Sequence, residues 1–175
     1  MKGVKAWAFN PFHGGSHKDF LETWQKHSSY HWKNFTLSPH HWRWRMRQAP
    51  FVLSRQCSNE EPPRIIFCSS MFNLCEFKGL KSEYAKIPSV MYFHENQLTY
   101  PVEDDSQRDY HLAFSQFMAA SVADLVLFNS SHHMNQYLNA LWDWLKKMPK
   151  PSLLQDYETF KQKCEVQYPG IPVTN

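Results

Sequence analysis

The chain has 175 residues, with 19 Lys plus Arg against 16 Asp plus Glu for a net charge of +3, ten His, four Cys, 13 Phe, 8 Tyr and 7 Trp. That length fits one domain near the usual size of about 100–150 residues and leaves no room for two full mononucleotide-binding domains. With 42% apolar and 16% aromatic residues it can bury enough surface to offset its chain entropy, which excludes a disordered tail, while +3 is too small a charge to argue for nucleic-acid binding by itself.

In chain order, residues 4–9 form a short apolar run that ends in Asn-Pro-Phe-His-Gly-Gly, after which Phe20, Leu21 and Trp24 recur as on one helical face. This predicts strand, glycine turn and helix. Residues 31–37 read as a second strand closed by Ser38-Pro39, and helical character resumes near His41. After Pro62-Pro63, residues 64–69 read as a buried third strand, and residues 73–84 carry Leu74, Phe77 and Leu80 at helical spacing. Residues 89–94 repeat the strand pattern after Pro88. Leu112, Ala113, Gln116, Phe117 and Ala120 line one side of a helix over residues 108–123, followed by a strand at 125–128. Asn129-Ser-Ser131 is rich in capping residues and leads into an amphipathic helix through Met134, Tyr137, Leu138, Leu141 and Trp142, which Pro149-Lys-Pro151 breaks. A last helix spans residues 153–160, and a short strand residues 164–168. Short buried strands alternating with helices predict an α/β fold, a Rossmann-like parallel sheet with helices on both faces. In such sheets ligands bind outside the carboxyl ends of the strands, so the residues just after each strand are the candidate site.

Gly14 and Gly15 are two of only five glycines and sit together in the first strand-to-helix loop. They allow positive φ and close backbone approach, and a helix starting near Ser16 would offer free N–H groups to a phosphate. The alternative is a tight turn with Ser16 as the helix cap, since Gly-Gly-Ser-His-Lys matches neither the dinucleotide fingerprint nor the Gly-Lys-Ser/Thr loop. After the fourth strand, Tyr92-Phe-His-Glu-Asn-Gln-Leu-Thr-Tyr-Pro101 is dense in hydrogen-bonding groups. His94 and Glu95 suit proton transfer, and Asn96, Gln97, Thr99 and Tyr100 suit sugar hydroxyls or base edges. The competing reading is local: Asn96 and Thr99 satisfying loop backbone, and His94 a hydrogen-bonded core histidine. In His40-His-Trp-Arg-Trp-Arg-Met-Arg47 an extended chain would align Arg43, Arg45 and Arg47, whereas a helix would align Arg43 and Arg47 and turn Arg45 away. Arginine suits phosphate and tryptophan suits stacking, so the stripe is a candidate RNA contact; otherwise its arginines pair with carboxylates at the sheet end.

No metal is expected, because the glycine pair between His13 and His17 breaks the helical face a zinc pair needs and His132 and His133 point apart. Cys57, Cys68, Cys75 and Cys164 have neither zinc-knuckle nor disulfide-framework spacing and read as reduced thiols. The longest apolar stretches fall short of the ~20 residues that span a bilayer, and residues 1–9 lack a signal h-region. These features predict a cytoplasmic protein with no membrane partner.

Taken together, Phe12-His-Gly-Gly-Ser-His-Lys18, His41-Trp-Arg-Trp-Arg-Met-Arg47, the block from Tyr92 to Pro101, Arg108-Asp109, Ala123-Asp124 and Phe128-Asn-Ser130 resemble the N-terminal half of the tRNA-queuosine mannosyltransferases, over residues 4–171. The resemblance implies a GT-B architecture and a retaining, metal-independent transfer of mannose from GDP-mannose, with no cofactor, to queuosine in tRNA. Position by position, it implies that Gly14, Gly15 and the adjacent Ser16 face the donor diphosphate and that His94 lies beside the transferred sugar, with Glu95 in the same block as a second catalytic candidate. Asn96, Gln97 and Tyr100, with Arg43, Arg45 and Arg47, are the acceptor-side candidates. Such enzymes bind the nucleotide sugar mainly in a C-terminal domain, and Tyr168-Pro-Gly-Ile171 resembles the start of the linker to it. The expected organisation is therefore an acceptor-side domain at residues 1–168 and the beginning of a linker at 169–175, with the donor-binding domain absent and the isolated chain inactive. The alternatives are a tRNA-binding module without chemistry and a degenerate interaction domain.

Overall fold

The computed structural model describes residues 3–170. Most of the expected linker, residues 171–175, lies outside the described residues.

Six strands form one all-parallel sheet in the order β2-β1-β3-β4-β5-β6. They are β1 (Lys5–Asn10), β2 (His31–Thr36), β3 (Ile65–Ser69), β4 (Ser89–Phe93), β5 (Leu125–Phe128) and β6 (Cys164–Val166). The helices are α1 (Gly15–Lys26), α2 (Trp42–Gln56), α3 (Leu74–Leu80), α4 (Tyr110–Ser121), α5 (Ser131–Lys147) and α6 (Tyr157–Gln162). The Rossmann-like α/β arrangement and the place of every strand thus agree with the periodicity. The helix expected over residues 73–84 is shorter: α3 stops at Leu80, after Gly79, and Ser82–Tyr84 forms a separate 3-10 turn. Glycine lowers helix stability there and gives the chain a cheap place to break.

The helices divide unequally between the two faces, for a topological reason. Going from β1 to β2 the chain moves one way across the sheet; every later crossover moves the other way. Right-handed crossovers then put α1 alone on one face and the remaining helices on the other. Alternating strand residues follow suit: Ala8, Phe67, Tyr92 and Leu127 pack with Leu21, Phe20 and Trp24. Trp7, Phe9, Cys68, Phe93 and Phe128 belong to the larger cluster with residues from α2 to α6. The reversal of direction between β1 and β3 is the switch point at which parallel sheets leave a crevice.

The larger core is aromatic. Phe9 has no exposed surface and stacks on Phe72 at 4.6 Å and on Phe35 at 5.1 Å, with Phe77 tilted against it at 4.7 Å. It thereby ties β1 to β2, to the loop after β3 and to α3. Truncating such a side chain removes its burial and leaves a cavity, so Phe9→Ala is expected to lower unfolding free energy by about 3–5 kcal/mol. Urea unfolding of the two proteins measures the difference, and a loss below about 1 kcal/mol would contradict this packing.

Candidate functional site

At the switch point, β1 leaves the sheet through Asn10, which is 3% exposed and ties the following loop together. Its Oδ1 accepts from the Phe12 N–H at 3.4 Å, and its Nδ2 donates to the His17 carbonyl at 3.4 Å. The helix that follows starts one residue earlier than expected. Gly14 is the N-cap, in an extended conformation and without a side-chain capping bond, so Ser16 is not the cap. The two glycines serve different needs. A Cβ on Gly14 would lie 2.5 Å from the Pro39 ring, whereas Gly15 adopts φ +50 with open space where its Cβ would be. Gly15, Ser16 and His17 therefore carry first-turn N–H groups without intrahelical partners, and Ser16 and His17 line the crevice.

Across that opening stands the end of β4. His94 packs against His17, with ring centroids 4.1 Å apart and planes tilted by 32°, and is flanked edge-on by Phe20 and Tyr92. Burial, reinforced by His17 and His133, holds its pKa down to about 3, so the imidazole is neutral at physiological pH. Among the described residues its ring nitrogens have no hydrogen-bonding partner. It is neither the tied-down core histidine nor a ready proton donor. It is a neutral ring with polar atoms left over for a ligand.

Glu95 points to His17, whose Nε2–H donates to the carboxylate at 3.1 Å. His17 Nδ1 is buried and has no partner. The sequence reading weighed His17 only as a metal ligand. A stronger signal was present, because His17, Phe20, Leu21 and Trp24 fall at i, i+3, i+4 and i+7, which puts His17 on the inward face of α1.

The rest of the block divides by role. Asn96 is 3% exposed and turned inward: its Nδ2 donates to Thr99 Oγ1 at 2.8 Å and to His133 Nε2 at 2.9 Å, and its Oδ1 accepts from the Thr99 N–H at 2.8 Å. His133 donates from Nδ1 to Asn129 Oδ1 at 2.9 Å, and Asn129 Nδ2 donates to the His94 carbonyl at 2.8 Å. Gln97 uses its backbone N–H to reach Gln116 Oε1 at 2.9 Å, and Gln116 Nε2 donates to the Ser70 carbonyl at 3.1 Å. The Gln97 side chain and the half-exposed Tyr100 line a cleft of about 290 Å³ with Phe12, Ser16, His17 and Glu95. His94 opens on a neighbouring cleft, of similar size, that shares Glu95 and Tyr100.

Arg108 and Asp109 now have structural roles. Arg108 donates to the carbonyls of Gln97 and Tyr100, at 3.3 and 3.0 Å, and so shapes the loop; Asp109 caps α4 by accepting from the Leu112 N–H at 2.9 Å.

The Trp and Arg stretch is helical. It enters α2 through His41, held at φ 53. Arg45 turns back to the Ser38 carbonyl and hydroxyl at 3.1 and 2.9 Å, and Arg47 lies 3.6 Å from Asp109. Arg43 stacks over Trp42 at 4.6 Å, beside Trp44, which is 67% exposed. The three arginines are thus not an aligned stripe: Arg43 faces solvent on an aromatic surface, while the other two are tied to protein groups.

These elements define a Rossmann-like domain whose polar crevice lies between a glycine-started helix and a buried His–Glu pair. The chain belongs to the family described as tRNA-queuosine alpha-mannosyltransferase N-terminal, whose model matches residues 5–171. It is similar to the tRNA-queuosine alpha-mannosyltransferase of Drosophila melanogaster, with 33% identity over 159 residues, covering 90% of this chain and 42% of that relative. The chain therefore spans less than half the length of that protein.

The buried imidazoles make stability depend on pH. In the unfolded chain His94 takes up a proton near its ordinary 6.5, whereas in the fold it stays neutral down to about 3, and burial lowers His133 in the same sense. The unfolded state then binds more protons within that window, so stability is full above it and falls as pH drops from about 6.5 toward 3. The urea midpoint is expected to be lower near pH 5 than near pH 7.5, and His94→Gln should narrow the gap. An unchanged gap in the variant would remove His94 from this account.

Proposed function

We propose that the chain is the acceptor-side domain of a cytoplasmic enzyme that transfers mannose from GDP-mannose to queuosine in tRNA, with a donor-binding domain elsewhere in the full protein. The reading is carried by the family match over residues 5–171 together with the crevice in which His17, at the start of α1, meets His94 and Glu95 at the end of β4. GT-B organisation and a retaining outcome belong to the same proposal.

In this reading the N–H groups of Gly15, Ser16 and His17, at the positive end of α1, receive the departing diphosphate. Neutral His94 accepts or donates one hydrogen bond to the mannose ring without adding charge beside the developing oxocarbenium ion. Glu95, held by His17, orients the attacking hydroxyl of the acceptor. The bond from that oxygen to the anomeric carbon forms as the bond to phosphate breaks on the same face, and the hydroxyl proton passes to the departing phosphate oxygen. Because such preorganised contacts contribute most when charge develops, His94→Ala in the full-length enzyme is expected to lower turnover about 100-fold. Undiminished turnover would overturn the role given to His94.

For tRNA itself, Arg43 and the exposed Trp44 offer a phosphate contact next to a stacking surface. Released counterions make each such contact visible in salt dependence. Arg43→Ala is expected to weaken RNA binding and to reduce the slope of log affinity against log salt by about 0.7–0.9. Filter-binding titrations from low to moderate salt measure that slope, and an unaltered one would place RNA on another surface.

A further inference from the structure

A third cleft, of about 280 Å³, lies next to the candidate site, between α2, α3 and α4 at the carboxyl end of β3. Its floor is made by Met46, Met71, Phe72 and Leu112, all buried. Two links join it to the first cleft. Met71 lines both, and Ser70, on its wall, donates its hydroxyl to the Glu95 carbonyl at 3.1 Å.

The polar groups at the rim are unevenly used. Asn73 Oδ1 accepts from the Glu76 N–H at 3.1 Å, which fixes the side chain, and among the described residues its amide NH2 makes no hydrogen bond. Among the described residues, neither the Glu76 carboxylate nor the Ser115 hydroxyl has a hydrogen-bonding or ion-pair partner. Partial burial pushes the Glu76 carboxyl pKa up, with the Arg47 charge opposing it. Arg47 itself is turned to Asp109. An open carboxylate, an amide donor and a hydroxyl thus surround an apolar, methionine-rich floor with room for one planar ring.

That donor and acceptor set selects among ligands. A carboxylate accepts two parallel N–H bonds well, and guanine-type bases present N1–H and the 2-amino group side by side. Adenine, cytosine and uracil each place an acceptor next to their donor on this edge. Thioether groups pack favourably against aromatic ring faces, which suits the Met46 and Met71 floor. Queuosine is a 7-deazaguanosine, with its diol-bearing arm attached on the side of the ring system away from N1 and the 2-amino group.

We propose that this cleft holds the guanine-type base of the acceptor nucleotide, with Glu76 accepting N1–H and the 2-amino N–H, so that the arm crosses Met71 into the His17–Glu95 cleft. The inference rests on the tRNA-queuosine reading above and assigns the base and the reacting diol to different clefts. Glu76 is then a specificity-determining residue and stands outside the reacting atoms.

The test uses the 175-residue chain and two synthetic anticodon stem-loop RNAs, one with guanosine and one with inosine at the target position. Inosine keeps N1–H and lacks the 2-amino group. The wild-type chain is expected to bind the guanosine RNA about tenfold more tightly, and Glu76→Gln should abolish that preference. Ser115→Trp, which fills the cleft, should abolish it as well, while Arg43→Ala should weaken both RNAs alike. Equal binding of the two RNAs by the wild type, or a preference that survives Glu76→Gln, would overturn the proposal while leaving RNA binding intact. Failure to bind either RNA at low salt would instead overturn the tRNA reading, and the base assignment with it.

Discussion

The geometry of the crevice depends on how the chain leaves β4. Over the seven residues from His94 to Tyr100, five of the backbone groups are held by side chains from other parts of the fold. Asn129 holds the His94 carbonyl, Ser70 the Glu95 carbonyl, and Gln116 the Gln97 N–H. Arg108 then holds the carbonyls of Gln97 and Tyr100. Loops carry function because they are free of the sheet ladder, but that freedom has to be removed before side chains can be placed to a fraction of an ångström. Here the residues that remove it come from β3's exit, α4 and the start of α5. The side chains that face the crevice are therefore placed by groups distant in sequence.

The winding of the sheet explains which side of the crevice does what. Only α1 reaches the crevice from its own face of the sheet, and it arrives by its N-terminus, bringing backbone donors and His17. α2, α3 and α4 reach it from the other face, and they bring the aromatic and methionine surfaces together with Arg47, Glu76 and Gln116. One side is thus suited to anions and the other to flat apolar rings. The proposed transfer from a diphosphate sugar to a nucleoside would use both kinds of surface within reach of one another.

Much of the fold was legible because the strands are short, buried and separated by Pro, Gly or capping residues, so periodicity placed all six. The site was legible only in part. Polar residues after β4 marked the loop that lines the crevice, but sequence spacing could not say which of them turn inward, and Asn96 does so because His133, 37 positions away, offers it an acceptor. Ser16 is a candidate cap by residue type; the extended backbone at Gly14 takes that place instead. The arginine stretch could act as one stripe only if extended. On a helix those neighbours diverge, and Arg45 and Arg47 find Ser38 and Asp109. His17 was legible through its helical register, yet its pairing with Glu95 depends on 78 positions of intervening chain and no local pattern encodes it.

The bonds from Thr99 through Asn96, His133 and Asn129 to the His94 carbonyl all point the same way, each group donating to the next. Such a series polarises cooperatively, and it behaves as a single directed object. Its weak link is His133 Nε2, the one acceptor in the series that a proton can convert into a donor. Once converted, it faces the Asn96 amide donor. Rotating that amide to meet it would turn two N–H groups toward the Thr99 N–H and leave them opposed. One proton at α5 would thus break the order of the series on one side only, at the Thr99 turn, while His133 Nδ1 goes on donating to Asn129 and Asn129 to the His94 carbonyl.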